Sequence, residues 1–402
     1  MRNRSLYALV IVSALGYFVD AFDLVIFSVV RKASLAELGV PDGQSLSVGL
    51  LLYNWQMAGM LIGGVLWGVI GDKRGRLTVL FASIIVYSGA NLTNGFVTSV
   101  EWYKILRFIA GIGLAGELGV GVAIVSEVMS AQRRGIGTMI IAVCGVLGST
   151  SAGYFGTQLY WRHSFIIGGC MGFCLLLLRM SVAESELFRR VRLQPVARGS
   201  LRLLLGQPKR VARYLLCVGV GLPIYVVMGL LMTGAPEFGL ALGLSVAPVA
   251  GTAVLICHVS MLAGDVACTI VSQLLRSRRK AFVLFHAICL LGMLLYLYIP
   301  PSGLPDFYAR CAIVGFGCGF WVLLTTNAAE QFGTNLRATV ATSVPNLVRG
   351  MLIPITFVYE LLRPGLGVVH AAGVIGVTCA VAAIISSLLL TEKFGTDLNY
   401  VE

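Results

Sequence analysis

Charge is scarce in this chain. Only 12% of its 402 residues are Asp, Glu, Lys or Arg, against roughly 25% in ordinary globular domains. So little polar surface cannot cover a water-soluble core of this length, which excludes a conventional soluble enzyme or binding domain. Catalytic signatures are missing as well. There is no P-loop, which excludes direct use of ATP, and no HExxH or nucleophile elbow. None of the ten cysteines forms a CxxC pair. Neither a disulfide framework nor a zinc site is therefore expected, and no cofactor is expected either. The net charge of +12 does not signal nucleic acid, because the basic residues lie in short clusters between apolar runs.

What the chain does have is apolar sequence, at 57%, and 48 glycines, the composition of closely packed membrane helices. The N-terminal run MRNRSLYALVIVSALGYFVDAFDLVIFSVVR is too long for a signal-peptide core and reads as a first spanning helix. Twelve such helices are expected, near 6–31, 46–71, 77–97, 102–126, 135–159, 163–182, 212–236, 248–275, 281–299, 307–328, 338–361 and 367–390. With a cytoplasmic N-terminus, about 22 Lys and Arg fall in inside loops and 5 outside, so the positive-inside rule sets that orientation. The basic stretch 183–211 reads as a cytoplasmic linker between a bundle over 1–182 and another over 212–402. A faint internal repeat agrees: RFIAGIGLAG from Arg107 and RCAIVGFGCG from Arg310 stand 203 positions apart. Glu127 and Arg134 are repeated by Glu330 and Arg337 at the same offset.

The loop GVIGDKRGR, residues 68–76, is a tight basic turn whose one acid can face a helix N-terminus. It resembles the GxxxDxxGR signature of the major facilitator superfamily. RFIAGIGLAGELG resembles the family's fourth-helix RxxxGxxxG motif, and EVMSAQRRG and EQFGTNLRAT resemble its paired E-x6-R loops. The resemblance covers the whole chain. It implies an all-α membrane protein of twelve transmembrane helices, in two pseudo-symmetric six-helix bundles that rock around a central cavity. It also implies that Gly68, Asp72, Gly75, Arg76, Glu127, Arg134, Glu330 and Arg337 form cytoplasmic gates. The second-half echo of the loop, SQLLRSRRK, departs from the pattern, with no matching glycine.

Helix one places Asp20 and Asp23 at i and i+3, on one face. Carboxylates at that depth are expensive and face a cavity or a partner. FVDAFDLVIF resembles the D-G-x-D element of aromatic acid and metabolite:proton symporters, with Ala21 in place of glycine. That resemblance implies Asp23 as the proton-carrying acid, partnered by Arg107; the alternative is a static pair fixing helix one to helix four. Arg349, between Pro345 and Pro354, is a candidate ligand for a carboxylate or phosphate, with Asn346 one turn away. Asp265, on the helix that carries His258, reads as a second proton site or a salt-bridge partner. Glu117 either lines the cavity or bonds another helix, and Gln56 serves as glue or ligand.

The expected function is proton-coupled symport of a small organic anion by alternating access. Asp23, Asp20 and Asp265 would handle the proton, and Arg107, Arg349, Asn346, Glu117 and Gln56 the substrate. The alternatives are a sugar or zwitterion symporter, or an exporter of drugs or metabolites. A non-transporting sensor on the same fold is the remote one. The expected partners are a small-molecule substrate, protons and the lipid bilayer, for a monomer in a bacterial inner membrane.

Overall fold

A computed structural model describes residues 2–74, 76–117, 134–183, 204 and 206–395. The side chains of 2–10, 68, 69, 71–74, 76, 77, 134–139, 142, 181–183, 334, 335, 337, 338, 341 and 342 lie outside the description as well. The described chain is helical, without strands, and its contacts divide it into two compact units, Met1–Arg198 and Gly199–Glu402. The expected linker lies mostly outside the described residues. Eight helical stretches among those residues are long and apolar enough to cross a membrane. Large apolar side chains such as Leu274, Leu361 and Phe357 point outward, a surface that suits lipid rather than water.

Unit 1 is built from α1 (Arg2–Glu37), α2 (Asp42–Arg74), α3 (Arg76–Asn94), α4 (Val100–Leu114), α5 (Arg134–Gln158) and α6 (Trp161–Ala183). Helix α1 packs mainly on α5 and α6, α2 on α4, and α3 on α4 and α6. Small residues set these approaches, because membrane helices associate by close packing rather than by hydrophobic exclusion from water. A methyl group on Gly111 of α4 would overlap the Gln56 carbonyl of α2, and one on Gly148 of α5 would overlap the Phe18 carbonyl of α1. One end of the unit is tied by Glu37, which accepts from Trp161 Nε1 at 2.6 Å, from the Tyr160 hydroxyl and from Arg162. Arg162 also donates to the Val97 carbonyl at 2.6 Å, joining the α3–α4 turn to the α5–α6 turn.

Unit 2 comprises α7 (Pro208–Tyr225), a π-helical segment Val226–Met232, and α8 (Ala235–Ala241), followed by α9 (Ala250–Leu274) and α10 (Arg278–Tyr298). Then come α11 (Leu304–Gly317), α12 (Trp321–Glu330), α13 (Thr334–Gly350) and α14 (Leu352–Leu389). Several expected spans are single in sequence but broken in structure. Pro223 removes a backbone donor within α7, and the helix widens into the π-helical segment just beyond. The span expected over 307–328 breaks at Cys318–Phe320, where Gly319 lies against the backbone of Gly264 and Asp265. The spans expected to end at 361 and restart at 367 run together in α14, which is interrupted by Gly367 at φ 76°, a conformation that glycine adopts readily.

Candidate functional site

Unit 1 buries a cluster of charges among α1, α2, α3, α4 and α6. Asp20 and Asp23 of α1, Gln56 of α2, Asn91 of α3 and Arg107 of α4 are all at most 1% exposed. The close approach of α4 to α2 at Gly111 brings the Arg107 guanidinium one turn away onto the Gln56 side chain: Arg107 Nη2 donates to Gln56 Oε1. The guanidinium lies 5.0 Å from the Phe27 ring centroid and 5.6 Å from that of Phe165, and both faces favour a cation. Asp23 fits against α6 because residue 168 is glycine; a Cβ there would sit 2.7 Å from Asp23 Oδ1.

Hydrogen bonding within this cluster is incomplete. Both oxygens of Asp23, Nε and Nη1 of Arg107, Nε2 of Gln56 and both polar atoms of the Asn91 amide have no hydrogen-bond partner among the described residues. Asp23 and Arg107 are therefore not hydrogen-bonded to each other. Buried polar groups are normally satisfied, so each of these atoms calls for an explanation.

Glu117 forms a two-pronged ion pair with Arg179 of α6, at 2.8 and 2.9 Å, with both side chains 3% exposed. Of the two roles open to it, the bond to another helix is the one seen. Arg179, within the span expected over 163–182, is a buried helical residue. Gly16 of α1 makes room for it; a Cβ there would overlap the Arg179 guanidinium and approach Glu117 Oε2. Sequence offered a signal for this pair only in the excess of glycine.

In unit 2, Arg349 ends α13 and donates to Asn346 Oδ1 at 3.3 Å, with its guanidinium 5.7 Å from the Trp321 ring centroid. Asp265 of α9 accepts the backbone N–H of Val322 at 3.1 Å. Its carboxyl thus sits at the start of α12, where the helix dipole favours a negative charge. Asp265 and Arg349 both reach the same helix start, at Val322 and Trp321. His258 is satisfied within its own helix by the Val254 carbonyl at 2.9 Å. Buried His286, which sequence reasoning passed over, bonds the Val220 carbonyl at 3.0 Å.

Of the expected gate residues, Gly75 and Glu127 lie outside the described residues. So do the side chains of Asp72, Arg76, Arg134 and Arg337, while Gly68 lies within α2. Glu330 is described, and its partner is Arg278 of α10 at 3.1 Å. Arg278 also donates to Ser272 and stacks over Phe394. Glu392 accepts from the Ser277 hydroxyl and from the backbone N–H groups of Arg278 at 3.1 Å and Arg279 at 3.3 Å. Burial works against the Glu392 carboxylate, but the bonds from Ser277, Phe394, Arg278 and Arg279 outweigh it and hold its pKa below the usual value.

The sequence profile of the Major Facilitator Superfamily matches residues 13–353. The chain belongs to this superfamily. Its members are transporters rather than enzymes. A probable 4-methylmuconolactone transporter of Cupriavidus pinatubonensis is 23% identical over 96% of this chain and 90% of its own length. The 4-hydroxybenzoate transporter of Acinetobacter baylyi is 29% identical over 44% of this chain and 38% of its own length. The chain spans about two-fifths of the length of several curated relatives that it matches. Among solved structures, the inward-open xylose transporter XylE of E. coli superposes with a TM-score of 0.72, covering 98% of both chains at 17% identity. That likeness confirms the all-α, twelve-helix transporter fold.

Proposed function

We propose that the protein is a proton-coupled symporter of a small organic anion, of the carboxylate class, working by alternating access. The observation that carries this reading is the buried cluster of Asp23, Arg107, Gln56 and Asn91, with unmet donors on Arg107 and unmet acceptors on Asp23. An anion that engages Arg107 competes with Asp23 for its positive field. A desolvated carboxylate deprived of its cation is neutralised by taking up a proton, so anion and proton enter together. Arg349 and Asn346 supply a second cationic anchor within unit 2, and Asp20 supports the negative field at Asp23. The relatives named for 4-hydroxybenzoate and 4-methylmuconolactone support a small oxygen-rich acid or its lactone as substrate class. Two six-helix bundles over 1–182 and 212–402, the basic linker 183–211 and the gates at 68–76, 127–134 and 330–337 complete the proposal. So do a bacterial inner membrane and cytoplasmic termini.

The test is transport in proteoliposomes carrying an imposed pH gradient, with pooled aromatic and aliphatic carboxylates outside. Uphill uptake driven by inward protons is expected. In Asp23→Asn the uphill accumulation disappears while substrate exchange persists. Accumulation retained in that variant, or a response only to neutral or cationic compounds, refutes the reading.

A further inference from the structure

Helix α12 begins in the middle of a span that reads as continuous in sequence, and it has no cap of its own. The first N–H groups of any helix lack a partner within it, and at membrane depth no bulk water replaces one. Phe320, the residue that would normally cap, carries no side-chain acceptor. The acceptor comes instead from another helix: Asp265 of α9 takes the N–H of Val322 at 3.1 Å. Val322 is the second residue of α12, the position whose N–H a capping side chain takes. Two glycines make this reach possible. A Cβ on Gly264 of α9 would overlap the Phe316 carbonyl of α11, and one on Gly319 would overlap the backbone of Gly264 and Asp265. Helix α9 and the break before α12 therefore touch backbone to backbone, which delivers the Asp265 carboxyl to the helix start.

The first residue of α12 is Trp321, and the Arg349 guanidinium lies 5.7 Å from its ring centroid. Arg349 also donates to Asn346 Oδ1, one turn earlier on α13, at 3.3 Å. Contacts thus run from Asp265 through the start of α12 to the Trp321 ring and on to the Arg349 cation. An aromatic face attracts a guanidinium and gives its plane a preferred setting, so the placing of the helix start decides where that charge is held. We propose that Asp265 is a positioning residue for anion binding in unit 2: it caps α12 from α9 and so holds Trp321 against Arg349. The inference rests on the reading of Arg349 as an anchor for the substrate anion. The role requires an oxygen acceptor at residue 265 and no proton exchange there, which separates Asp265 from a proton-carrying acid such as Asp23.

The experiment measures uptake kinetics of labelled benzoate in proteoliposomes carrying the full chain, with and without an inward proton gradient. Asp265→Ala removes the acceptor and is expected to raise KM at least about tenfold while kcat changes by less than about twofold. Asp265→Asn keeps an oxygen in place, and Asn caps a helix about as well as Asp. It is expected to restore the KM that Asp265→Ala loses and to retain uphill uptake. Placed on an Arg349→Ala background, Asp265→Ala is expected to add no further rise, because both changes act through one charge. If Asp265→Ala does not fold, Trp321→Leu, which leaves the cap and removes the ring, is expected to show the same KM rise and the same dependence on Arg349. Uphill uptake lost in Asp265→Asn with counterflow kept makes Asp265 a proton site and overturns the inference. An unchanged KM in Asp265→Ala or Trp321→Leu beside a raised one in Arg349→Ala also overturns it and leaves the anchor standing. An unchanged KM in Arg349→Ala overturns both, as does a parent protein that takes up neither benzoate nor any of the pooled carboxylates.

Discussion

Replacing Arg179 with alanine leaves the Glu117 carboxylate in a site where it is 3% exposed and where its two Arg179 bonds are gone. Cutting one partner out of a buried ion pair destabilises by about 3–5 kcal/mol, because the survivor is charged and desolvated without compensation. Unit 1, Met1–Arg198, is of a size at which each kcal/mol moves the melting temperature by about 2–4 °C. The expected fall is therefore about 6–20 °C. The assay is thermal unfolding of the purified protein in detergent, followed by tryptophan fluorescence. The double variant Glu117→Gln with Arg179→Met removes both charges and is expected to recover most of the loss, since a buried pair adds little over a well-packed neutral one. Two results would refute the reasoning. One is a single variant that melts within about 2 °C of the parent protein. The other is a double variant that melts below the single one.

Two further outcomes follow from other parts of the molecule. Arg349→Ala removes the donor to Asn346 and the cation beside Trp321; an apparent substrate constant raised at least about tenfold, as for loss of one charge-assisted contact, is expected in uptake kinetics, and unchanged kinetics would exclude Arg349 from binding. Because the folded-state pKa of Glu392 is depressed, its stabilising effect is complete above the ordinary carboxylate range and is lost as pH falls through the depressed value. Melting curves between pH 7 and pH 3 should show a drop at the acid end that is smaller in Glu392→Gln, and identical acid profiles would count against this clamp.

Much of the fold was legible in the sequence because the bilayer demands it. A spanning helix must satisfy its own backbone and present about 20 apolar residues to lipid, so composition alone exposes the helices, and loop motifs expose the family. Asp20 and Asp23 were legible as a pair because helical periodicity puts i and i+3 on one face. Less legible were the breaks at Cys318–Phe320 and Gly367, where apolar sequence runs on but the backbone turns.

By itself, then, the sequence determined that this is an all-α membrane transporter and that Asp23 and Arg107 are misplaced charges in apolar helices. Tertiary structure alone decided what each charge meets. Arg107 reaches Gln56 across 51 positions of sequence, and Glu117 reaches Arg179 across 62. Asp265 accepts the amide of Val322 across 57. The physical reason is that periodicity reports which face of a helix a residue occupies, whereas partners are set by where neighbouring helices approach. In unit 1 that approach is fixed by glycines at 16, 111, 168 and 172, whose missing side chains leave room for Arg179, the Gln56 backbone, Asp23 and Ser88 of other helices.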